Sequence, residues 1–286
     1  MNNLVSCKNF IVSDLLKNAV DLLRKTSDTP YLDAQILLSD TLKMNRARLI
    51  ANLDLIIDEE HSLGFSSLVS RRATSEPIAY ILNQKEFYSR TFYIDHTVLV
   101  PRPETEHIVE CAINFLRHKR MPKVLEIATG SGIIAVTLKK ECPQFDVTAS
   151  DISLSALAIA RKNAKALGAE INFIQSDIFK SISDRYDLII ANPPYVETEL
   201  IDSSVELKHE PRLALDGGKD GMYILNQIIK EANQYLNKDG CLLLEHGNEQ
   251  FEALEIIGYS HNFKLRDIVY DLQSYKRGTL FSGQYS

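Results

Sequence analysis

Val124-Leu-Glu-Ile-Ala-Thr-Gly-Ser-Gly132, running on into Ile133-Ile-Ala-Val-Thr-Leu138, is the stretch that decides the fold. The apolar run Val124–Ala128 has the length of a buried strand and meets small residues before a helical pattern starts at Ile133. Ala128, Thr129, Gly130, Ser131 and Gly132 let the backbone pass close to a ligand just ahead of that helix. Further β-like runs follow at Val147–Ser150, Ile171–Gln175, Asp187–Ala191, Cys241–Glu245, Lys264–Tyr270 and Gly278–Phe281, with helical stretches between most of them. That alternation predicts an α/β fold with an open, mostly parallel sheet and helices on both faces. In such sheets ligands bind beyond the carboxyl ends of the strands, near the switch in strand order.

The residues there suit a nucleoside. Asp151 ends the second strand and can accept both ribose hydroxyl protons. Asp177 ends the third, near where an adenine ring would lie. Gly130-x-Gly132-x-x-Ala135 also satisfies a dinucleotide fingerprint, so a nicotinamide-dependent oxidoreductase stays open on these residues alone. Glu126, inside the first strand, favours a ligand bearing positive charge and would repel a pyrophosphate.

The fourth strand runs directly into Asn192-Pro193-Pro194-Tyr195. Two prolines fix φ at successive positions and remove two N–H donors, and the first pushes Asn192 into extended backbone. A rigid turn that presents only acceptors suits a planar NH2 group. The Asn192 side-chain oxygen and the Pro193 carbonyl each take one N–H, and the Tyr195 ring offers a stacking face. Drawing on both protons favours a pyramidal nitrogen whose lone pair points at an electrophile. Hydride transfer has no use for this element.

These residues identify the chain as resembling the amino-methyltransferases of the class I S-adenosylmethionine (SAM) type. More narrowly it resembles the PrmC/HemK family, the N(5)-glutamine methyltransferases of peptide-chain release factors. Val98-Leu-Val-Pro-Arg-Pro-Glu-Thr-Glu106, Glu210-Pro-Arg-Leu-Ala-Leu-Asp-Gly-Gly-Lys-Asp-Gly221 and Leu242-Leu-Leu-Glu-His-Gly247 carry the match beside the tetrapeptide. The resemblance implies a class I SAM-methyltransferase (Rossmann-like) sheet and SAM as methyl donor. It implies that Glu126, Ala128, Thr129, Gly130, Ser131, Gly132, Asp151, Asp177, Ile178 and Asn192 contact the cofactor. It implies that Asn192, Pro193, Pro194 and Tyr195 hold the glutamine amide of a Gly-Gly-Gln motif, with Arg102, Pro103 and Glu104 also on the substrate side. Two positions depart from the family. Ala128 stands where the first loop glycine is usual, and its methyl fits provided that φ is negative there. Glu126 stands where Asp is more usual.

Upstream, residues 1–85 read as a small helical bundle that the resemblance makes a release-factor docking module. Ser13 is a candidate N-cap, Pro30 a first helical residue and Asp58 another cap, with Gly64 weakening the helix after it. Residues 86–105 read as a β-hairpin linker, including a β-like run Thr97–Val100, and 106–286 as the methyltransferase domain. The long connection Val196–Lys219 reads as a lid over the substrate, with Gly217-Gly218 as a hinge.

Net charge is −6, with acidic residues outnumbering basic ones 38 to 32. That argues against binding to nucleic acid through phosphate neutralisation, and so against methylation of an exocyclic base amine, the nearest alternative activity. A SAM- or partner-binding module without catalysis is the third reading. Cys7, Cys111, Cys142 and Cys241 are scattered, which excludes a CxxC site, and the seven histidines lack metal spacing. Arg71-Arg72 and Arg46 with Arg48 read as solvated faces. No apolar run reaches membrane-spanning length, and Met1–Lys8 shows no secretory leader. The expectation is a cytoplasmic enzyme, a monomer, with no metal, no membrane association and no stable nucleic-acid binding.

Overall fold

The computed structural model describes residues 10–283. Cys7 and the leader reading of Met1–Lys8 lie outside the described residues. The chain divides into two compact units between Asn83 and Gln84.

In the first unit a short strand β1 (Phe10–Ile11) leads into α1 (Val12–Leu23), α2 (Pro30–Thr41), α3 (Arg46–Ile50), strand β2 (Ile56–Ile57), α4 (Glu59–Arg72) and α5 (Ile78–Leu82). Leu16, Leu23, Leu37, Leu38, Phe65 and Val69 form its core. Pro30 opens α2, and the Asp58 side chain caps α4 by accepting from the His61 N–H. Gly64 sits within that helix. Ser13 is not a cap. The helix begins at Val12, two residues before a Ser13 cap would start it, because β1 pairs with β2 and the Leu55 and Leu53 carbonyls accept from the Val12 and Ser13 N–H groups. Backbone acceptors thus fill the helix terminus that a serine hydroxyl would otherwise serve. Arg72 is no solvated side chain either. It donates to the buried Asp33 at 2.7 Å, tying α4 to α2.

The second unit begins with strands β3 (Gln84–Phe87) and β4 (Arg90–Tyr93), an antiparallel hairpin. Its two-residue turn is Tyr88–Ser89, both with positive φ, the mirror-image turn that matches strand twist. The hairpin belongs to this unit and is no free linker. The Tyr93 N–H and carbonyl bond the side chain of Asn163, and the Tyr88 N–H bonds Glu106. Thr97–Val100 forms no strand. It runs irregularly between an Asp95 turn and Pro101. Helix α6 (Thr105–Leu116) follows.

Then come β5 (Lys123–Ile127), α7 (Ile133–Glu141), β6 (Asp146–Asp151), α8 (Leu154–Leu167), β7 (Asn172–Gln175), β8 (Tyr186–Ala191), α9 (Thr198–Ser203), α10 (Tyr223–Ala232), β9 (Leu236–Glu245), α11 (Phe251–Ser260), β10 (Phe263–Tyr270) and β11 (Lys276–Gly283). Every strand anticipated for the sheet from residue 124 onward is present, with ends moved by a residue or two except at β9, which starts five residues earlier. The sheet order is β10-β11-β9-β8-β5-β6-β7. Strands β7, β6, β5, β8 and β9 are parallel, while β11 and β10 run antiparallel at one side. Alternation puts Leu125 and Ile127 of β5 on one face, in a core shared with Ile189, Leu242, Leu225 and Phe281. The strand order reverses at β5, which separates β6 from β8, so the cleft opens where β5 and β8 end.

Candidate active site

A cavity of about 760 Å³ lies beyond the ends of β5, β6, β7 and β8. The end of β5 supplies Glu126 to its wall, and the loop after it supplies Ala128, Thr129, Gly130 and Ser131. Gly132 does not line it; with φ +82° it caps α7 and turns the chain into that helix, and a Cβ there would press on Ala160. Ala128 has φ +56°. The condition under which a methyl fits is therefore not met, and this alanine holds a left-handed conformation that suits glycine.

Glu126 is 1% exposed. Its Oε2 accepts from the Thr129 hydroxyl at 2.6 Å and the Ala135 N–H at 2.9 Å. Burial nevertheless pushes its pKa up to about 8, with the nearby Asp151 carboxylate adding to the rise. Asp151 ends β6, where Oδ2 accepts from the Gly130 N–H and Oδ1 from the Ser153 N–H, both at 2.9 Å. Burial raises its pKa too, against those backbone bonds. Two nearly dry carboxylates on one cavity wall favour a ligand with a positive charge and hydroxyl donors. A Cβ at Gly130 would meet nothing within 4 Å, so that side of the loop is open toward a ligand. A nucleoside carrying an ammonium and a sulfonium fits this donor set.

Asp177 and Ile178 line the next part of the wall. Asp177 pairs with Lys180 at 2.7 Å, and Ile178 is held at φ +51°, a conformation rare for a β-branched residue. The Ser176 hydroxyl donates to the Ile178 carbonyl and accepts from the Ser181 N–H, which fixes that turn.

Asn192 and Pro194 line the far wall, while Pro193 and Tyr195 do not. The Tyr195 ring packs on the sheet core, and its hydroxyl donates to Glu245 Oε1 at 3.3 Å. Asn192 Nδ2 points to Thr105 Oγ1 at 3.4 Å. Burial raises the pKa of Tyr195 and lifts that of Glu245 to about 7. The Tyr195 carbonyl accepts from Gln250 Nε2 at 3.0 Å, and Gln250 Oε1 takes the Gly247 N–H at 2.8 Å. His246, buried, is satisfied by the Gly247 carbonyl and the Thr279 hydroxyl, as expected for a core histidine.

Of the Pro-Arg-Pro-Glu stretch only Pro101 and Arg102 reach the cavity; Pro103 and Glu104 do not. Arg102 pairs with the buried Glu210, which also accepts the Val100 N–H at 2.9 Å. The segment after Tyr195 carries Pro211, Leu213 and Ala214 onto the cavity rim. It is tied shut at its base: Val196 N–H to the Leu215 carbonyl, Gly217 N–H to the Val196 carbonyl, and Thr198 N–H to the Gly218 carbonyl. Gly217 is no hinge. A Cβ there would stand 2.7 Å from Tyr195 Cα, so the glycine is there for close approach.

Sequence reasoning missed Thr97, Val98 and Leu99, which wall the cavity, the Thr105 hydroxyl beside Asn192, and the buried Glu245 that accepts from Tyr195. A carboxylate placed directly at the end of the apolar run Leu242–Leu244 was the available signal for Glu245.

The methyltransferase small domain model matches residues 109–209, and the PrmC N-terminal domain model matches residues 14–82. A release factor glutamine methyltransferase from Bordetella pertussis is 39% identical, over 78% of this chain and 84% of its own. One from Coxiella burnetii is 38% identical, over 90% and 95%. Among solved structures, the catalytic domain of hMettl16 in complex with a MAT2A 3′UTR hairpin aligns with TM-score 0.58 at 16% identity, over 77% of this chain and 82% of that one. A methyltransferase from Pyrococcus furiosus aligns at 0.52 and 18%, over 77% and 100%. These two share the fold of the sheet unit. Identity above one third along nearly the whole length, together with a matched N-terminal unit and a matched catalytic unit, makes the chain a member of the release factor glutamine methyltransferase family.

Proposed function

We propose that the protein methylates the side-chain amide nitrogen of the glutamine in the Gly-Gly-Gln motif of peptide-chain release factors, with SAM as donor. The observation that supports this most is the position of Asn192-Pro-Pro-Tyr195 at the end of β8, against a cavity that also holds Asp151 and Glu126. Bound SAM supplies an electrophilic methyl carried on a sulfonium. Of the residues lining the cavity, Asp151 would take the ribose hydroxyls, Asp177 and Ile178 would flank the adenine, and Glu126 would balance the positive charge. The Asn192 carboxamide oxygen on the cavity wall accepts one N–H of the substrate amide, and the carbonyl of Pro193, next in the turn and set back from that wall, is the acceptor for the other once the substrate is seated. That withdraws the nitrogen lone pair from resonance and aims it into the cavity, a preorganised arrangement that asks for no strong base. Tyr195 acts from behind through its hydroxyl and ring packing. Arg102 shapes the rim by holding Glu210.

The first unit, residues 10–83 as described, is the docking module for the release factor in this reading, and the enzyme acts as a cytoplasmic monomer without stable nucleic-acid binding. Among the described residues no helix is long and apolar enough to cross a membrane. The test is purified protein, labelled SAM and a release factor, with mass spectrometry of the product. Label on the glutamine Nε2, abolished when that glutamine is replaced, supports the proposal. Label that persists after replacement, or that appears on nucleic acid, overturns it.

A further inference from the structure

We infer that Asn163 is a positioning residue for the cofactor loop: its side chain locks the Ser131 carbonyl to the β3–β4 hairpin, so that the grip on SAM and the order of that hairpin rise and fall together. The inference rests on the reading of the cavity as the SAM site, not on the identity of the methyl acceptor.

The Ser131 carbonyl sits just outside α7. Gly132 caps that helix, and the Gly132 carbonyl takes the Val136 N–H at 2.9 Å. The preceding helix donor, the Ala135 N–H, goes to Glu126 Oε2 at 2.9 Å. No helix N–H is left for Ser131, and a buried carbonyl requires a donor. Asn163 Nδ2 supplies it at 2.9 Å. The Gly132 N–H donates to the Thr129 carbonyl at 2.8 Å, so the peptide plane between Ser131 and Gly132 is held at both edges. A hold is required there, because a glycine at φ +82° lets such a plane turn over at little steric cost. Ser131 itself is 4% exposed and lines the cavity. Among the described residues neither its N–H nor its hydroxyl donates to a protein acceptor, which leaves both to a ligand.

The same carboxamide grips the hairpin. Asn163 stands on α8 and is 2% exposed. Its Oδ1 accepts the Tyr93 N–H at 2.7 Å, and Nδ2 donates to the Tyr93 carbonyl at 3.0 Å as well as to Ser131. Both kinds of group on the amide are thus in use, which fixes its orientation. The Lys162 ammonium lies over the Tyr93 ring and fastens the same residue to α8. Two further ties of the hairpin, the Tyr88 N–H to Glu106 and Arg90 to Glu141, reach residues that do not line the cavity. Asn163 does not line it either, yet it joins hairpin and cavity wall through a single side chain. A ligand that fixes Ser131 therefore favours the fully bonded Asn163, and with it the bonded Tyr93. By linkage, a hairpin that loosens Asn163 weakens the hold on the ligand to the same extent.

The test uses the full chain as wild type and Asn163→Leu, which keeps the shape of the side chain without its hydrogen bonds. SAM is the probe, in calorimetry and in hydrogen exchange read by mass spectrometry over peptides within residues 84–93. In wild type, saturating SAM is expected to slow exchange across the hairpin by about fivefold or more, the lower end of a coupling between two sites. In Asn163→Leu the Kd for SAM rises about tenfold, the worth of one hydrogen bond. The KM for SAM rises with it, by more than kcat falls, and SAM at saturation no longer slows the hairpin. A merely structural asparagine would lower stability and leave the hairpin's response to SAM in place. A response retained in Asn163→Leu, or a Kd there within about twofold of wild type, a factor worth well under one hydrogen bond, overturns the inference. Should the variant fail to fold, the wild-type exchange decides, slowing supporting the inference and indifference to SAM overturning it. A wild-type protein that binds no SAM overturns the inference and the cofactor reading together. One that binds SAM with the coupled hairpin but leaves release factors unmethylated overturns the proposed function alone.

Discussion

Replacing Glu126 by glutamine should stabilise the protein without ligand, and the gain should grow with pH. The carboxyl is 1% exposed, and burial lifts its pKa from 4.5 to about 8. In the unfolded chain it ionises near its ordinary value; in the folded chain it stays protonated until about pH 8. Below pH 4.5 both states are neutral and nothing is lost. From there to about pH 8 the unfolded state alone releases the proton, so folding becomes steadily less favourable. Each pH unit across that span corresponds to about 1.4 kcal/mol, which sets a ceiling of roughly 5 kcal/mol, reached above pH 8. Relaxation of the site brings the expected value to roughly 2–4 kcal/mol. Glutamine can accept the Thr129 and Ala135 bonds with its amide oxygen, so the comparison isolates charge. Urea unfolding of both proteins without SAM, at intervals from pH 5 to pH 9, reads the difference. Glu245, also pushed upward by burial, is common to both and cancels, whereas the repulsion between Asp151 and Glu126 disappears in the variant and is part of the measured difference. Curves that stay parallel across this range would refute the argument. A companion measurement is SAM calorimetry in two buffers of different ionisation heat near pH 7: wild type should release protons on binding, and the glutamine variant should release fewer and bind more weakly.

Four further outcomes are expected. Ala128→Gly relieves a left-handed alanine, a gain of about 1–2 kcal/mol set against about 0.4–1 kcal/mol for the freer unfolded chain; a small rise in melting temperature by calorimetry is the result, and a fall would show that the methyl packs better than its backbone suffers. Asp151→Ala removes an acceptor for charged hydrogen bonds and should raise the SAM Kd by about 10- to 100-fold in calorimetry, with turnover of saturated enzyme much less affected. Asn192→Ala should do the reverse, lowering kcat by about 10²–10³ while SAM affinity changes little; a collapse of SAM affinity with intact turnover would contradict its assignment. Gly221→Ala forces a Cβ against the Tyr195 carbonyl and Gln250 Nε2 at φ +69°; it should lower kcat through the displaced turn and cost about 1–3 kcal/mol in urea unfolding.

The sheet was legible because its strands are short apolar runs separated by helical periodicity; their order was not, and is set by pairing between distant segments. The ligand wall was legible where chemistry is local in sequence: a glycine loop, carboxylates at strand ends, a proline turn. What escaped depends on contacts between distant segments. Thr105 and Asn192 stand 87 residues apart, and Arg102 and Glu210 stand 108 apart. Thr97–Leu99 looked like a strand because β-formers are also what an apolar cavity wall requires. Ser13 looked like a cap because nothing local announced that β1 and β2 would bring backbone carbonyls to the same place. The sign of φ at Ala128 is likewise set by the turn as a whole and is not written in the alanine.

The segment between Tyr195 and Gly221 is fastened at both ends, at its base by the Val196 and Thr198 bonds and farther along by Glu210. Its middle, around Leu200 and Val205, is exposed and carries little of that fastening. Lengthening a flexible stretch costs only about 0.6 kcal/mol per doubling. Evolution can therefore add or exchange residues near positions 203–208 and leave the rim untouched. Differences in target preference among descendants of this scaffold should accumulate in that stretch before they reach the chemistry beneath it.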